Sequence, residues 1–133
     1  MVRKRRFVVI AGIAALCGIV AWIVFEWNSS PPLIANLPAG TWEQISSAFS
    51  ERLAAKFPLA TPERILIAEL LREGFQPRPP TTMFPLGGVS GYQKSYELDT
   101  SEFPCRIIWG VYWNADTDAR VTKIVGQRGG ICL

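Results

Sequence analysis

The chain has 133 residues, with 14 Lys and Arg, 11 Asp and Glu, no histidine and a formal net charge of +3. Without histidine the chain lacks the commonest general base, the Ser–His and Cys–His nucleophile pairs and the histidine ligands of most zinc sites. Four basic residues lie within the first six positions. Beyond residue 28 the chain has ten basic and ten acidic residues. That larger part is close to neutral, so its charge gives no support to nucleic-acid binding.

The N-terminus has the pattern of a membrane anchor. A basic leader at residues 1–6, "MVRKRR", is followed by nineteen residues, Phe7 to Phe25, without one charge. As a helix with a rise of ~1.5 Å per residue, this run is about 28 Å long and matches a hydrocarbon core of ~30 Å. Trp22 and Trp27 lie where aromatic rings prefer the headgroup layer. We therefore expect a transmembrane helix at residues 7–27.

The flanks of this segment predict its orientation and its fate. No basic residue appears between Glu26 and Arg52, so the positive-inside rule keeps the leader in the cytoplasm. The run exceeds the usual length of a signal-peptide core, and no A-x-A cleavage site follows it, which favours an uncleaved anchor. We expect a single-pass protein of the bacterial inner membrane, with a linker at residues 28–40 and a periplasmic domain at residues 41–133.

Two helices are predicted at the start of the domain. In "GTWEQISSAFSERLAAKF", Thr41 and Gln44 form a capping box. The apolar residues recur at helical spacing: Trp42, Ile45, Phe49, Leu53 and Phe57.

The second helix follows after a short loop, in "ATPERILIAELLREGF". We expect Thr61 at its N-cap, Pro62 in its first turn and Gly74 at its end in a left-handed conformation. Its predicted buried stripe is Ile67, Leu70 and Leu71. The short loop favours an αα-hairpin.

Three strands are predicted in the second half of the domain. "QPRPPTTMFPLGG" is expected to break regular structure, and "VSGYQKSYEL", "CRIIWGVYWN" and "ARVTKIVG" have the composition of strands. The predicted fold class is α+β, with the αα-hairpin packed on a roughly three-stranded antiparallel sheet. One face of the sheet then covers the helices, and the other is a candidate binding surface.

The segment "WNADTDARV" resembles the opening of a calcium loop but lacks its closing residues. Asn114, Asp116 and Asp118 alternate, whereas an EF-hand counted from Asn114 requires Gly at Ala119 and Glu at Val125. The β-branched and aromatic flanks favour a hairpin turn instead. We expect no metal site and no cofactor.

Catalytic patterns are weak in this sequence. Ser90 and Ser95 flank Lys94 without the S-x-x-K spacing, and Glu97 with Asp99 is a possible acid–base pair. Solvated charges at strand ends are the more common explanation, so no catalytic residue is assigned.

Aromatic residues are numerous for so small a domain, and they admit two interpretations. The ordinary one is packing in the core and between strands. Exposure on the open face of the sheet would instead indicate a protein-binding surface. The candidate partner surface comprises Tyr92, Tyr96, Trp109, Tyr112 and Trp113.

A disulfide is predicted between Cys105 and Cys132, because both lie on the exported side, where paired thiols oxidise. With a turn about Thr117, Cys105 lies twelve residues before it and Cys132 fifteen after it. A bulge near Gly126 or Gly129–Gly130 would absorb the offset. Two separate buried thiols are the alternative.

Several motifs resemble those of small exported proteobacterial proteins of unassigned function. They are "FPLATPE" between the helices, the C-x-x-x-W-x-V-x-W pattern at residues 105–113 and the closing "GGICL". Two helices on a three-stranded sheet are also similar to the small domains of the outer-membrane assembly lipoprotein BamE and of β-lactamase inhibitor proteins. The chain departs from BamE in its membrane helix, which replaces a lipidated cysteine. The first resemblance implies an exported domain without a known activity.

These features favour a non-catalytic, membrane-anchored protein whose periplasmic domain binds another envelope protein. A small periplasmic hydrolase or peptidoglycan-acting enzyme is the first alternative. The second is a structural subunit of a membrane complex, in which Gly12 and Gly18 provide helix contacts.

Overall fold

Two helices precede four strands in the computed structural model, which describes residues 30–78, 89–101 and 103–133. The elements are α1 (Trp42–Lys56), α2 (Glu63–Arg72), β1 (Gln76–Arg78), β2 (Lys94–Asp99), β3 (Cys105–Ala115) and β4 (Val121–Cys132). The strands form one antiparallel sheet in the order β1-β2-β3-β4. The predicted α+β class, with two helices on an antiparallel sheet, is confirmed.

The anchor predicted at residues 7–27 lies outside the described residues. Within the described ranges, no helix is long and apolar enough to cross a bilayer.

Helix α1 begins at the predicted capping box. The Gln44 amide donates to the Thr41 hydroxyl at 3.3 Å, and the Thr41 amide donates to the Gln44 side chain at 2.9 Å. Phe49 and Leu53 on its apolar face are fully buried, whereas Trp42 at its start is 39% exposed. The helix therefore contributes its middle to the core and its first turn to the surface.

Helix α2 differs from prediction in its cap and in its buried face. Thr61 does not cap it, because the Thr61 hydroxyl donates to the Pro58 carbonyl in the loop. Leu66 and Leu70 are buried, while Leu71 is 47% exposed. Glu63 at the start of the helix is also buried, so the buried stripe is Glu63, Leu66 and Leu70. The predicted stripe is thus corrected.

The end of α2 follows the prediction. Gly74 has a φ of +89°, a conformation that favours glycine. The Phe75 amide then donates to the Leu70 carbonyl at 2.9 Å, and both side chains are buried.

The sheet has four strands instead of the predicted three. The additional strand, β1, lies in the segment expected to break regular structure and pairs Pro77 with Tyr96 of β2. Because β1 is at the edge of the sheet, it has one neighbour, and proline is tolerated in such a position. The proline-rich composition hid this strand.

The predicted linker is not free throughout residues 28–40. Leu33 is 1% exposed and belongs to the main core. Its amide donates to the buried carboxylate of Glu73 at 2.8 Å, and the Arg52 guanidinium donates to three carbonyl groups of this segment. The folded unit begins at Pro31. One apolar side chain and a buried hydrogen bond thus fix part of the segment that was predicted as a linker.

The hairpin of β3 and β4 confirms the predicted disulfide. Cys105 lies opposite Cys132, and their sulfur atoms are joined at 2.04 Å. The bulge lies at Asn114–Ala115 and not at the glycines. Gly126 has a different role, since a Cβ there would lie 2.5 Å from the Phe49 ring. It lets α1 approach the sheet.

Candidate functional site

The five aromatic residues of the predicted partner surface do not share one face. Trp109 and Trp113 are 7% and 0% exposed on the helix face, where Tyr96 packs against the same core. Tyr112, 2% exposed, lies on the opposite face with Tyr92. These five rings therefore do not form one continuous surface, because alternate residues of β3 point to opposite faces.

Packing and hydrogen bonds account for most of these rings. Trp113 lies 5.4 Å from Tyr96, and Trp109 lies 5.3 Å from Phe49 in an edge-to-face arrangement, measured between ring centroids. On the other face, burial and the nearby charge of Glu97 raise the pKa of Tyr112 to about 12. Packing in the core thus accounts for Trp109, Trp113 and Tyr112, whereas Tyr92 and Tyr96 are partly buried.

Lys94 and Ser95, one of the two serines considered for catalysis, do not face each other. Lys94 and Ser95 are consecutive in β2, so their side chains point to opposite faces. The Lys94 ammonium contacts the Glu63 carboxylate at 2.5 Å, and the Ser95 hydroxyl donates to the Arg78 carbonyl at 2.7 Å. This geometry holds the strands and the helix together.

Glu97 and Asp99 do line one cavity, of about 260 Å³, at the β1–β2 end of the sheet. Burial raises the pKa of Glu97. The hydrogen bond from the Ser101 hydroxyl lowers the pKa of Asp99 against the smaller effect of burial. Their pKa values are pushed in opposite directions, as in an acid–base pair. Each carboxylate also has an arginine within 4 Å, which is typical of structural ion pairs.

The "WNADTDARV" segment forms the β3–β4 turn. The Asp116 carboxylate accepts hydrogen bonds from the amides of Asp118 and Arg120 at 3.0 and 2.9 Å. The Asn114 side-chain oxygen accepts one from the Gln93 amide at 2.8 Å. Over the described part of the chain, no cluster of three or more His, Cys, Asp or Glu residues is placed to hold a metal ion. The turn prediction is confirmed.

The outer edge of β4 is partly sealed by two serines of α1. The Ser50 hydroxyl donates to the Gly126 carbonyl at 2.6 Å and accepts from the Gly126 amide at 2.9 Å. Ser46, one turn earlier, bonds in the same way to the carbonyl and amide of Arg128, at 3.3 and 2.9 Å. Two hydroxyl groups thus take the place of a neighbouring strand, and they protect the edge from other chains.

Arg128 lies between two tryptophans beside this sealed edge. Its guanidinium carbon is 4.2 Å from the centre of the Trp42 ring and 5.3 Å from that of Trp109. Burial lowers the pKa of Arg128. Among the described residues its side chain forms no salt bridge, and its buried Nε has no hydrogen-bond partner. Stacking on the rings is the contact that stabilises this cation.

A groove of about 420 Å³ follows the same edge. It is lined by Trp42, Glu43, Ser46, Ser47, Ser50, Val89, Val125, Gly126, Gln127 and Arg128. We call it the α1–β4 groove. The exposed Trp42 and the stacked Arg128 lie in its wall, together with the serines that seal the strand.

Sequence reasoning did not find this groove. Its members come from residues 42–50, from Val89 and from residues 125–128, and only the folded chain brings them together. One signal was present: Ser46 and Ser50 are four residues apart and so share one face of α1. Serine at such positions is also common on solvent-facing helices, and its meaning depends on the strand beside it.

The disulfide end of β4 lies beyond the serines and is more apolar. A second cavity, of about 410 Å³, is lined there by Ser101, Phe103, Pro104, Cys105, Arg106, Ile131 and Leu133. Phe103 and Leu133 are 94% and 97% exposed, and Ile131 is 44% exposed. These three side chains form an exposed apolar patch.

Comparison of the chain with protein-family models, with curated proteins and with solved structures finds no match. The resemblance to small exported proteins and to BamE-like domains stays a prediction.

Proposed function

We propose that the chain is a non-catalytic, single-pass protein of the bacterial inner membrane whose periplasmic domain binds another envelope protein. The uncharged run at Phe7 to Phe25 behind four basic residues supports the membrane location. The disulfide between Cys105 and Cys132 supports an oxidising compartment for the domain.

The observation that carries the binding role is the Trp42–Arg128 pair in the α1–β4 groove. Tryptophan and arginine are enriched among the residues that dominate the energy of protein interfaces. Trp42 is 39% exposed although it stacks on Arg128, and Arg128 has no carboxylate partner among the described residues. A partner that covers the ring and supplies an acceptor to the guanidinium would use both groups.

Site-directed photocrosslinking in native membranes tests this role. A photoreactive residue at Ser47, in the wall of the groove, should give an adduct of one defined mass. The same residue at Ala55, exposed on α1 and outside the lining of the groove, should give much less. Trp42→Ala should abolish the Ser47 adduct while the protein stays folded, because Trp42 lies outside the buried core.

Other outcomes would contradict the proposal. Equal adducts from the two positions, or a Ser47 adduct that persists in Trp42→Ala, would show that the groove is not the binding site. Membrane topology is tested separately on the full chain. Protease added to spheroplasts should digest the domain, and an N-terminus processed near residue 28 would refute the anchor.

A small hydrolase remains a second candidate, on the cavity that holds Glu97 and Asp99. The opposite shifts of their pKa values are the specific observation in its favour. The full chain, incubated with purified peptidoglycan, should then release soluble fragments, and Glu97→Gln should stop the release. No release by the unmodified chain would remove this reaction.

A further inference from the structure

The backbone groups on the outer edge of strand β4 have partners in the middle of the strand and lack them at its end. Gly126 and Arg128 turn their backbone amide and carbonyl groups away from β3, toward the serines of α1. The register with β3 is unbroken from Lys123 to Cys132, so Gly130 and Cys132 turn the same groups outward. Among the described residues, no side chain forms a hydrogen bond with those groups and no strand pairs with them, although the Trp42 ring lies close to Gly130. The edge is sealed in its middle and open at its end.

The open end also lacks the usual protection of an edge strand. Exposed edges commonly carry charges, proline or a covering element. Residues Gly129–Leu133, "GGICL", contain neither a charged side chain nor a proline. On one side of this segment lie the exposed side chains of Phe103, Ile131 and Leu133. Such an edge is a template for another strand.

We propose that the open end of β4 pairs antiparallel with the same segment of a second copy of the chain, about a two-fold axis through Ile131. Gly130 then lies opposite Cys132 of the second copy, and Cys132 lies opposite its Gly130. The amide and carbonyl groups of both residues are all satisfied by this single register. Ile131 meets its own counterpart across the axis on the apolar face.

Two properties of the segment select a second copy over a strand of another protein. Gly130 and Cys132, whose backbone groups lack partners, are two residues apart. A two-fold axis through Ile131 therefore pairs Gly130 of each copy with Cys132 of the other, and every one of these groups gains a partner. The segment Gly129–Leu133 also carries no charged side chain, so two copies can lie beside each other along it without repulsion between side chains. Pairing joins the two apolar patches into one surface. It goes beyond the proposed function and does not depend on the α1–β4 groove.

The test is cysteine crosslinking of the full chain in native membranes. A residue on the axis faces its own counterpart with Cβ atoms ~4.5–5.5 Å apart, which suits a disulfide after a small adjustment. Ile131→Cys, oxidised with copper phenanthroline, should therefore form a reducible dimer. Leu133→Cys is the matched control: Leu133 is more exposed, yet across this axis its counterpart lies at ~13 Å.

The two variants separate pairing from collision. If the strands pair about the two-fold axis, the Ile131→Cys dimer should form several-fold faster than the Leu133→Cys dimer. Random encounter, or association of the membrane segments alone, should instead favour Leu133→Cys, because this position is more exposed. Peptide mapping has to show a 131–131 link with the Cys105–Cys132 bond intact. Faster crosslinking of Leu133→Cys, or no 131–131 link, would overturn the proposal. A link from Ile131→Cys to a different protein would also overturn it and assign the edge to another partner.

Discussion

The carboxylate of Glu63, the first residue of α2, accepts a hydrogen bond of 2.7 Å from the indole nitrogen of Trp113, fifty residues later. Both side chains are buried, and Lys94 of β2 contacts the same carboxylate oxygen. Burial favours the neutral acid, but the hydrogen bonds from Lys94 and Trp113 outweigh it and lower the pKa of Glu63. The start of the helix is therefore fixed to two strands by one carboxylate.

Removal of this carboxylate should destabilise the domain. In Glu63→Ala the indole N–H of Trp113 loses its acceptor in a buried position, which costs about 1–3 kcal/mol of unfolding free energy. Glu63→Gln should lose less, because an acceptor oxygen of similar shape remains. Denaturant unfolding of the full chain measures both variants. Glu51→Gln, at an exposed position of α1, is the control and should change the midpoint little.

The limits of sequence reasoning are visible in this same contact. The capping box of α1 and the turn at Gly74 were predictable, because the residues that decide them are neighbours in the chain. In the sequence, Glu63 has the ordinary pattern of a charge at the positive end of a helix, because its partners Lys94 and Trp113 are thirty-one and fifty residues away. Position in the helix alone could not reveal its burial.

The candidate groove shows the same limit. In the sequence, Arg128 cannot be distinguished from other basic residues in strands. Its contact with the Trp42 ring depends on how α1 lies across β4. The burial of Leu33 and the strand pairing of Pro77 were not predictable for a different reason: both residues lie in proline-rich segments, which are typical of linkers and loops. Local composition predicts local structure, and these three residues are positioned by contacts at long range.

The serines that seal β4 give a second prediction. Ser50→Ala leaves the amide and carbonyl of Gly126 without their partner in a narrow space beside α1, so we expect a loss of about 1–3 kcal/mol in unfolding free energy. The matched control is Ser47→Ala, because Ser47 is exposed and its hydroxyl contacts Glu51 within the same helix. Equal midpoints for the two variants in denaturant would mean that the edge is satisfied by water.

A third prediction concerns acid. Hydrogen bonds from Arg72 and then Lys56 lower the pKa of Glu69 from 4.5 to about 2. Because the folded-state pKa is the lower one, the stabilisation is present above pH 4.5 and is lost as the pH falls toward about 2. Arg72 is 67% exposed in this pair, so salt should weaken the effect.

The measurement is the denaturant midpoint of the full chain as a function of pH. Glu69→Gln should reduce the loss of stability between pH 4.5 and about 2, compared with the unmodified chain. Glu51→Gln should retain the original pH dependence. A Glu69→Gln profile identical to that of the unmodified chain would show that this ion network does not stabilise the fold.

The fourth prediction concerns the disulfide, which closes the open end of the longest hairpin. Cys105 and Cys132 are 27 residues apart, and a covalent loop of that length should stabilise the fold by about 3–4 kcal/mol in the chain-entropy model. The bond also fixes the strand segment that we propose to pair with a second copy. The double substitution Cys105→Ser with Cys132→Ser should therefore lower the denaturant midpoint. Added to Ile131→Cys, it should also lower the fraction of chains joined by the 131–131 link. Alkylation of the unmodified chain checks the bond itself: neither Cys105 nor Cys132 should take up label until reductant is added, and labelling of both in the untreated protein would refute it.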